Sequence, residues 1–180
     1  MNNPMGIYVS RLAEAARCMC NEKEITKSDQ RLLDENALKK IVEFYKGTLV
    51  QYSEAKFAEE FPNRKFNSFL RKATTDNSLF VIGYVEYSAI DILHELGHAF
   101  LELSSMVDNE IRWIGDSESG LKELEAYKFA RAFLMPTQLF QETVISCSNR
   151  GECDIEAVAK EFAVDAAEVV CRGRESYLWE

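Results

Sequence analysis

The stretch that most constrains this chain is His94-Glu95-Leu96-Gly97-His98, which holds the only two histidines among its 180 residues. Residues four apart in an α-helix lie about 40° apart around its axis, so both imidazoles point to one side. Two imidazoles on one helix face can share a single zinc ion. Without a metal, two buried imidazoles would each need a hydrogen-bond partner. The spacing therefore predicts that His94 and His98 are metal ligands.

Glu95 follows the first of these histidines directly, about 100° further round the helix. At that position a carboxylate can reach a water molecule without entering the coordination shell. Zinc lowers the pKa of such a water towards about 7, and a neighbouring carboxylate can then accept its proton as the oxygen attacks a carbonyl group. We therefore expect Glu95 to be the catalytic base and proton carrier.

A helix start is expected just before this motif. Ser88 is followed three residues later by Asp91. This spacing resembles a capping box, with Asp in place of the usual Glu. The motif is therefore predicted to lie on a helix that begins at Ser88.

The third ligand must be a different kind of residue, because no third histidine is present. A carboxylate or, less often, a thiolate is left. In the next strongly helical segment, positions around the helix axis can be counted from Leu121 at about 0°. Phe129 and Ala132 then lie at about 80° and 20°, and Glu125 lies between them at about 40°. Glu123 falls at about 200°, towards the wetter side. A carboxylate in an apolar stripe needs a cation, either a metal or an Arg or Lys partner. We predict that Glu125 is the third zinc ligand.

The remaining pattern predicts an α+β chain in which helices dominate. Apolar residues at helical spacing, β-rich runs and the positions of Gly and Pro define the expected elements. These are helices over 7–20 and 29–46, a strand over 48–52, a short helix ending at Pro62, a strand over 79–85, a short edge strand over 111–114, a helix over 121–135 that stops at Pro136, and two short helices joined near Val164.

Composition excludes several classes of function. The chain has 30 acidic against 21 basic residues, for a formal net charge of −9, so direct binding to a nucleic acid backbone is not expected. The longest strongly apolar run, Leu79 to Val85, is too short to span a bilayer. The first residues lack a basic start followed by a long apolar run, so no signal peptide is expected. An odd number of cysteines, 5 in all, is expected to be reduced. These features predict a cytoplasmic location without a membrane partner.

Two segments together resemble the ImmA/IrrE family of zincin metallopeptidases. The first is HELGHAF and the second is ELEAYKFARAFLMP. The family carries HELGH followed by E-A-x-x-F-A-x-x-L-L-M-P, whose Glu is the third zinc ligand and matches Glu125 here. The C-terminal pattern A-x-x-F-x-V-x-x-x-x-V-x-x-R also matches, from Ala159 to Arg172. The resemblance spans residues 80 to 174. It implies a zincin-like core over 76–180, mostly helical, with a small β-sheet beside the HExxH helix. Residues 1–75 form an N-terminal helical region that could belong to the same domain.

The resemblance implies a cytoplasmic zinc endopeptidase, often carried by bacteria or mobile genetic elements beside a helix-turn-helix repressor. Members relieve repression by cleaving or inactivating that repressor. The alternative is a zincin-fold antirepressor that sequesters its protein partner without cutting it. An intact HExxH favours the enzyme, because binding alone does not need a proton-accepting Glu95.

One feature departs from the family pattern. The family often has R-F-T-x-A-H-E-L-G-H, whereas YSAIDILHELGH stands here. The helical pair over 154–172 could also suggest a DNA-binding helix-turn-helix. The acidic residues Asp165 and Glu168 favour packing of this pair against the core instead.

Overall fold

The computed structural model describes residues 4–62, 66–73, 77–103, 106, 110–113, 120–176 and 178. Within these residues the protein has an α+β fold dominated by helices, as predicted. The helices are α1 (Pro4–Glu22), α2 (Glu35–Phe44), α3 (Glu54–Glu60), α4 (Ala89–Glu102), α5 (Gly120–Leu134), α6 (Thr137–Ser146), α7 (Ile155–Phe162) and α8 (Ala166–Glu175). The strands are β1 (Gly47–Gln51), β2 (Ser68–Lys72), β3 (Phe80–Tyr84), β4 (Ile111–Trp113), β5 (Ser148–Asn149) and β6 (Glu152–Cys153).

The chain divides into two compact units, one comprising Met1–Leu33 with Lys128–Glu180 and the other comprising Asp34–Tyr127. Helix α5 runs across the division. The units do not coincide with the predicted segments 1–75 and 76–180, because residues from Asp34 onward group with the HExxH helix. Whether residues 1–75 form a separate domain stays a prediction.

The unit Asp34–Tyr127 is built on a four-stranded sheet of order β1-β3-β2-β4. β1 runs parallel to β3, and β2 runs antiparallel to both β3 and β4. β4 therefore lies at an edge, as the sequence predicted. Helix α4 packs against β2 and β3, and α2 packs against β1. The HExxH helix thus lies beside a small sheet, which confirms the predicted arrangement.

Short polar residues fix where the helices of this unit begin. Asp34 accepts a hydrogen bond from the Ala37 N–H at 2.7 Å, and Ser53 caps α3 in the same way. Ser88 accepts a hydrogen bond from the Asp91 N–H at 3.4 Å, so α4 begins where the capping-box pattern predicted.

Helices α6, α7 and α8 share one apolar cluster in the unit Met1–Leu33 with Lys128–Glu180. Its buried members are Met135, Leu139, Phe140, Val158, Ala159, Phe162 and Val169. Asp154 caps α7 through the Ala157 N–H, and α7 ends at Ala163 in the left-handed region, with φ 51°. The two C-terminal helices, α7 and α8, therefore pack into a core. This packing was predicted from the acidic residues Asp165 and Glu168.

Four elements were not predicted from the sequence: β2, α6 and the two-residue strands β5 and β6. Strand β2 carries Arg71 and Lys72 and is only 5 residues long, and α6 begins immediately after Pro136. None of the helices in the described ranges is both long enough and apolar enough to cross a membrane.

Candidate metal centre

Helix α4 brings His94 and His98 together inside the protein. All residues from Ile92 to Ala99 are buried, and the two histidines are 0 % and 2 % exposed. Their Nε2 atoms lie 3.0 Å apart, and their ring centroids are 4.6 Å apart. The four-residue spacing therefore places both imidazoles on one face of the helix, as predicted.

Helix α5 brings a carboxylate to the same point. The Oε2 atom of Glu123 lies 3.2 Å from Nε2 of His94, and its Oε1 atom lies 3.3 Å from Nε2 of His98. The Glu123 side chain is 16 % exposed. One carboxylate therefore faces both imidazoles.

These three side chains fit a divalent metal ion. One ligand atom from each of His94, His98 and Glu123 lies within 4.8 Å of the other two. The Oε2 atom of Glu123 is buried and has no hydrogen-bond partner in the described part of the chain, so its short distance to His94 lacks the direction of a hydrogen bond. Two imidazole nitrogens and a carboxylate form the ligand set of a catalytic zinc site that keeps one coordination position open.

The carboxylate at the histidines is therefore Glu123, whereas the sequence predicted Glu125. Glu125 lies on α5 and is half-buried, but it is not part of the described group that could hold a metal. The prediction placed Leu121 on the buried face of the helix, but Leu121 is 60 % exposed. The expected buried face therefore did not include Glu123.

The observed buried face of α5 explains the difference. It consists of Ala126, Phe129, Ala130 and Phe133, together with Ala132 and Leu134 near the end of the helix. The first four residues centre at about 130° from Leu121, so Glu123 and Tyr127, at about 200° and 240°, lie side by side at one edge. The ring of Tyr127 is 4.0 Å from that of His94, centroid to centroid. This edge of α5 faces the histidines.

Glu95 is fully buried and lies beside the candidate metal-binding residues. Its Oε1 atom accepts a hydrogen bond from the Ser68 hydroxyl at 2.9 Å, and its Oε2 atom has no hydrogen-bond partner among the described residues. Burial raises the pKa of Glu95 to about 8, although His98 and the Ser68 hydroxyl oppose the shift. A carboxyl group with a pKa near neutrality suits proton transfer in both directions.

Burial lowers the pKa of a histidine and contacts with carboxylates raise it, and the balance differs between His94 and His98. Burial lowers the pKa of His94 despite its contact with Glu123. Burial also acts to lower the pKa of His98, but Glu123, Glu95 and Glu102 together outweigh it and raise this pKa. For Glu123, burial would raise the pKa, and its contacts with His94 and His98 outweigh that effect and lower it to about 2. Glu123 is therefore ionised at neutral pH.

The sequence interpretation missed Ser68, Glu102 and Lys122. Glu102 lies one helical turn after His98, and this i,i+4 spacing is a signal that could have identified it. Ser68 and Lys122 come from other elements, and no sequence spacing relates them to the motif.

The three tyrosines close to the motif in sequence have different surroundings. The hydroxyl of Tyr84 donates a hydrogen bond to Glu35, and Tyr87 is 42 % exposed. The ring of Tyr127 packs against that of His94.

Part of the chain matches a protein-family model. Residues 86–172 match the family model described as the IrrE N-terminal-like domain, which is the peptidase M78 family. The match begins two residues before the N-cap of α4 and ends within α8. No curated protein matches the chain.

Proposed function

Because residues 86–172 belong to the ImmA/IrrE family of metallopeptidases, we propose that this protein is a zinc endopeptidase that cleaves a protein partner. The observation that carries the proposal is the convergence of His94, His98 and Glu123 on one point, beside the buried carboxyl group of Glu95. Two imidazoles and one carboxylate favour zinc over magnesium or calcium, which prefer oxygen ligands.

The residues of the site have distinct roles in this proposal. The imidazoles of His94 and His98 and the carboxylate of Glu123 hold the ion. Zinc in this position would polarise the scissile carbonyl group and lower the pKa of water. Glu95 accepts the proton of the attacking water and passes it to the leaving amine. The Ser68 hydroxyl donates a hydrogen bond to one carboxyl oxygen of Glu95, and the other oxygen has no hydrogen-bond partner among the described residues.

We further propose that the substrate is a helix-turn-helix repressor encoded nearby, and that both proteins are cytoplasmic. The formal net charge of −9 favours a basic partner, such as a DNA-binding protein, over a nucleic acid. The five cysteines are all free thiols, which suits a reducing compartment.

Glu95→Gln tests this proposal directly, because the amide cannot accept the proton of water. Co-expression with the neighbouring repressor should give cleaved repressor with the unaltered protein and intact repressor with Glu95→Gln. The variant should still carry about one zinc per chain, because Glu95 is not a ligand. Mass spectrometry of the repressor and metal analysis of the purified protein measure the two quantities.

The competing function is an antirepressor that sequesters its partner. Full relief of repression by Glu95→Gln, with the repressor uncut, would establish sequestration and overturn the peptidase proposal. A reporter gene under the repressor's promoter provides this second measurement. His94→Ala serves as the control that should lose both zinc and cleavage.

A further inference from the structure

Glu102, in the last turn of α4, contacts both His98 and Lys122. Its Oε1 atom lies 2.7 Å from Nδ1 of His98, and its Oε2 atom accepts a hydrogen bond from Nζ of Lys122 at 2.9 Å. Glu102 is 5 % exposed. One buried carboxylate therefore joins a metal-ligand histidine to the residue that directly precedes Glu123.

The first contact determines which nitrogen of His98 carries hydrogen. The ammonium group of Lys122 donates a hydrogen bond to Oε2 of Glu102, and this pairing makes Glu102 a carboxylate that accepts at both oxygens. Nδ1 of His98 must then be the donor, which leaves the lone pair of Nε2 facing Glu123. Among the described residues, none makes a hydrogen bond to Nδ1 of His94. His98 is therefore the ligand whose orientation this contact fixes.

The second contact joins two helices of the same unit. Lys122 and Glu123 are consecutive on the first turn of α5, whereas Glu102 and His98 lie on α4. The Lys122 side chain is 46 % exposed, and that of Glu102 is only 6 % exposed. A half-exposed ion pair adds little stability by itself. Its consequence here is geometric, because it holds the start of α5 where the Glu123 carboxylate reaches both imidazoles.

We propose that Glu102 and Lys122 are positioning residues of the metal centre, an inference that rests on the proposed zinc function. Glu102 fixes the tautomer and orientation of His98. Lys122 holds Glu102 in place and, through it, the turn of α5 that carries Glu123. Lys122 thus acts through Glu102 and not through a direct contact with the metal.

Zinc affinity of the full chain tests this proposal, measured by competition with a chromophoric chelator. Glu102→Gln keeps the shape of the side chain but removes its charge, and Lys122→Met keeps most of the length without the ammonium group. We expect about 10- to 100-fold weaker zinc binding for Glu102→Gln, the usual effect of removing a partner of a metal-ligand histidine. Lys122→Met should weaken binding about three- to tenfold, because it loosens that partner without removing it.

The matched control is Lys128→Met, which removes the same charge from the same helix. The structure shows no ion pair for Lys128 among the described residues, so zinc affinity should not change. The visible absorption spectrum of the cobalt-substituted protein reports ligand geometry directly. It should change in Glu102→Gln and Lys122→Met but not in Lys128→Met, which separates positioning from a general loss of stability.

The double variant tests whether Lys122 acts through Glu102. Glu102→Gln with Lys122→Met should bind zinc within about threefold of Glu102→Gln alone, because the two effects are not independent. A double variant weakened by the full product of the single effects would show that Lys122 acts separately and would contradict the proposal.

The remaining outcomes are also decisive. If Glu102→Gln fails to fold, the partly exposed Lys122→Met still carries the test. Zinc affinities and cobalt spectra identical to those of Lys128→Met would overturn the positioning role while leaving the peptidase proposal intact. Absence of zinc binding in the unaltered chain would overturn the proposed function itself, and the positioning role with it.

Discussion

Ser68 supports the site from outside the segment that matches the family. It lies on β2, is 1 % exposed, and among the described residues its hydroxyl is the one hydrogen-bond donor to the Glu95 carboxyl group. Glu95 is the least solvated carboxyl group of the site, so its orientation depends on this single contact. The position of the Glu95 carboxyl group, the proposed catalytic base, therefore depends on the sheet as well as on its own helix.

Ser68→Ala tests that dependence. The change leaves Oε1 of Glu95 buried without its donor, which costs about 1–3 kcal/mol and frees the carboxyl group to rotate. We expect kcat for cleavage of the partner to fall about tenfold, with KM and zinc content unchanged. The control is Ser78→Ala, which removes a hydroxyl that contacts Thr48. Unchanged turnover in Ser68→Ala would show that Glu95 does not need this contact.

At the scale of elements, the position of the sheet under α4 depends on close packing at Gly83. This residue lies on β3, opposite Phe69 on β2. A Cβ atom at Gly83 would lie 2.3 Å from the Phe69 ring and 3.0 Å from that of Tyr52. These rings belong to a cluster with Phe57 that is buried in the same unit. The aromatic residues therefore fill the space that the glycine leaves.

Gly83→Ala should destabilise the protein by about 1–3 kcal/mol, because the added methyl group overpacks a filled core. Urea unfolding followed by circular dichroism measures the loss. Gly120→Ala is the matched control: a Cβ atom there meets nothing within 4 Å, so the change should be within about 0.5 kcal/mol. Equal stability of the two variants would contradict the packing described for β3.

The elements that sequence predicted well are those set by local chemistry. The capping pattern at Ser88, the stop at Pro136 and the two C-terminal helices depend on residues a few positions apart, and the structure confirms them. Which face of α5 is buried depends on the elements that pack against it. Leu121 and Leu124 are 60 % and 56 % exposed, so the apolar residues of its first turns do not mark its buried side.

At the scale of the whole molecule, the family match accounts for only part of the site. It covers residues 86–172, whereas α2, α3 and three strands of the unit Asp34–Tyr127 precede it. HExxH predicted that His94, Glu95 and His98 lie together on one helix, and the structure shows them there; their roles as ligands and base stay predictions. The third carboxylate and Ser68, the partner of Glu95, come from the tertiary arrangement, which spacing along the chain does not encode. Glu102, the partner of His98, lies one turn further along the same helix.

The measurement that tests the central claim most directly is the zinc content of two variants that differ by two positions on α5. After loading with zinc and gel filtration, Glu123→Ala should retain less than about a tenth of a zinc per chain, because it loses one of three protein ligands. Glu125→Ala should retain about one zinc per chain, as the unaltered protein does. Loss of zinc from Glu125→Ala with retention in Glu123→Ala would contradict this account and restore Glu125 as the third ligand.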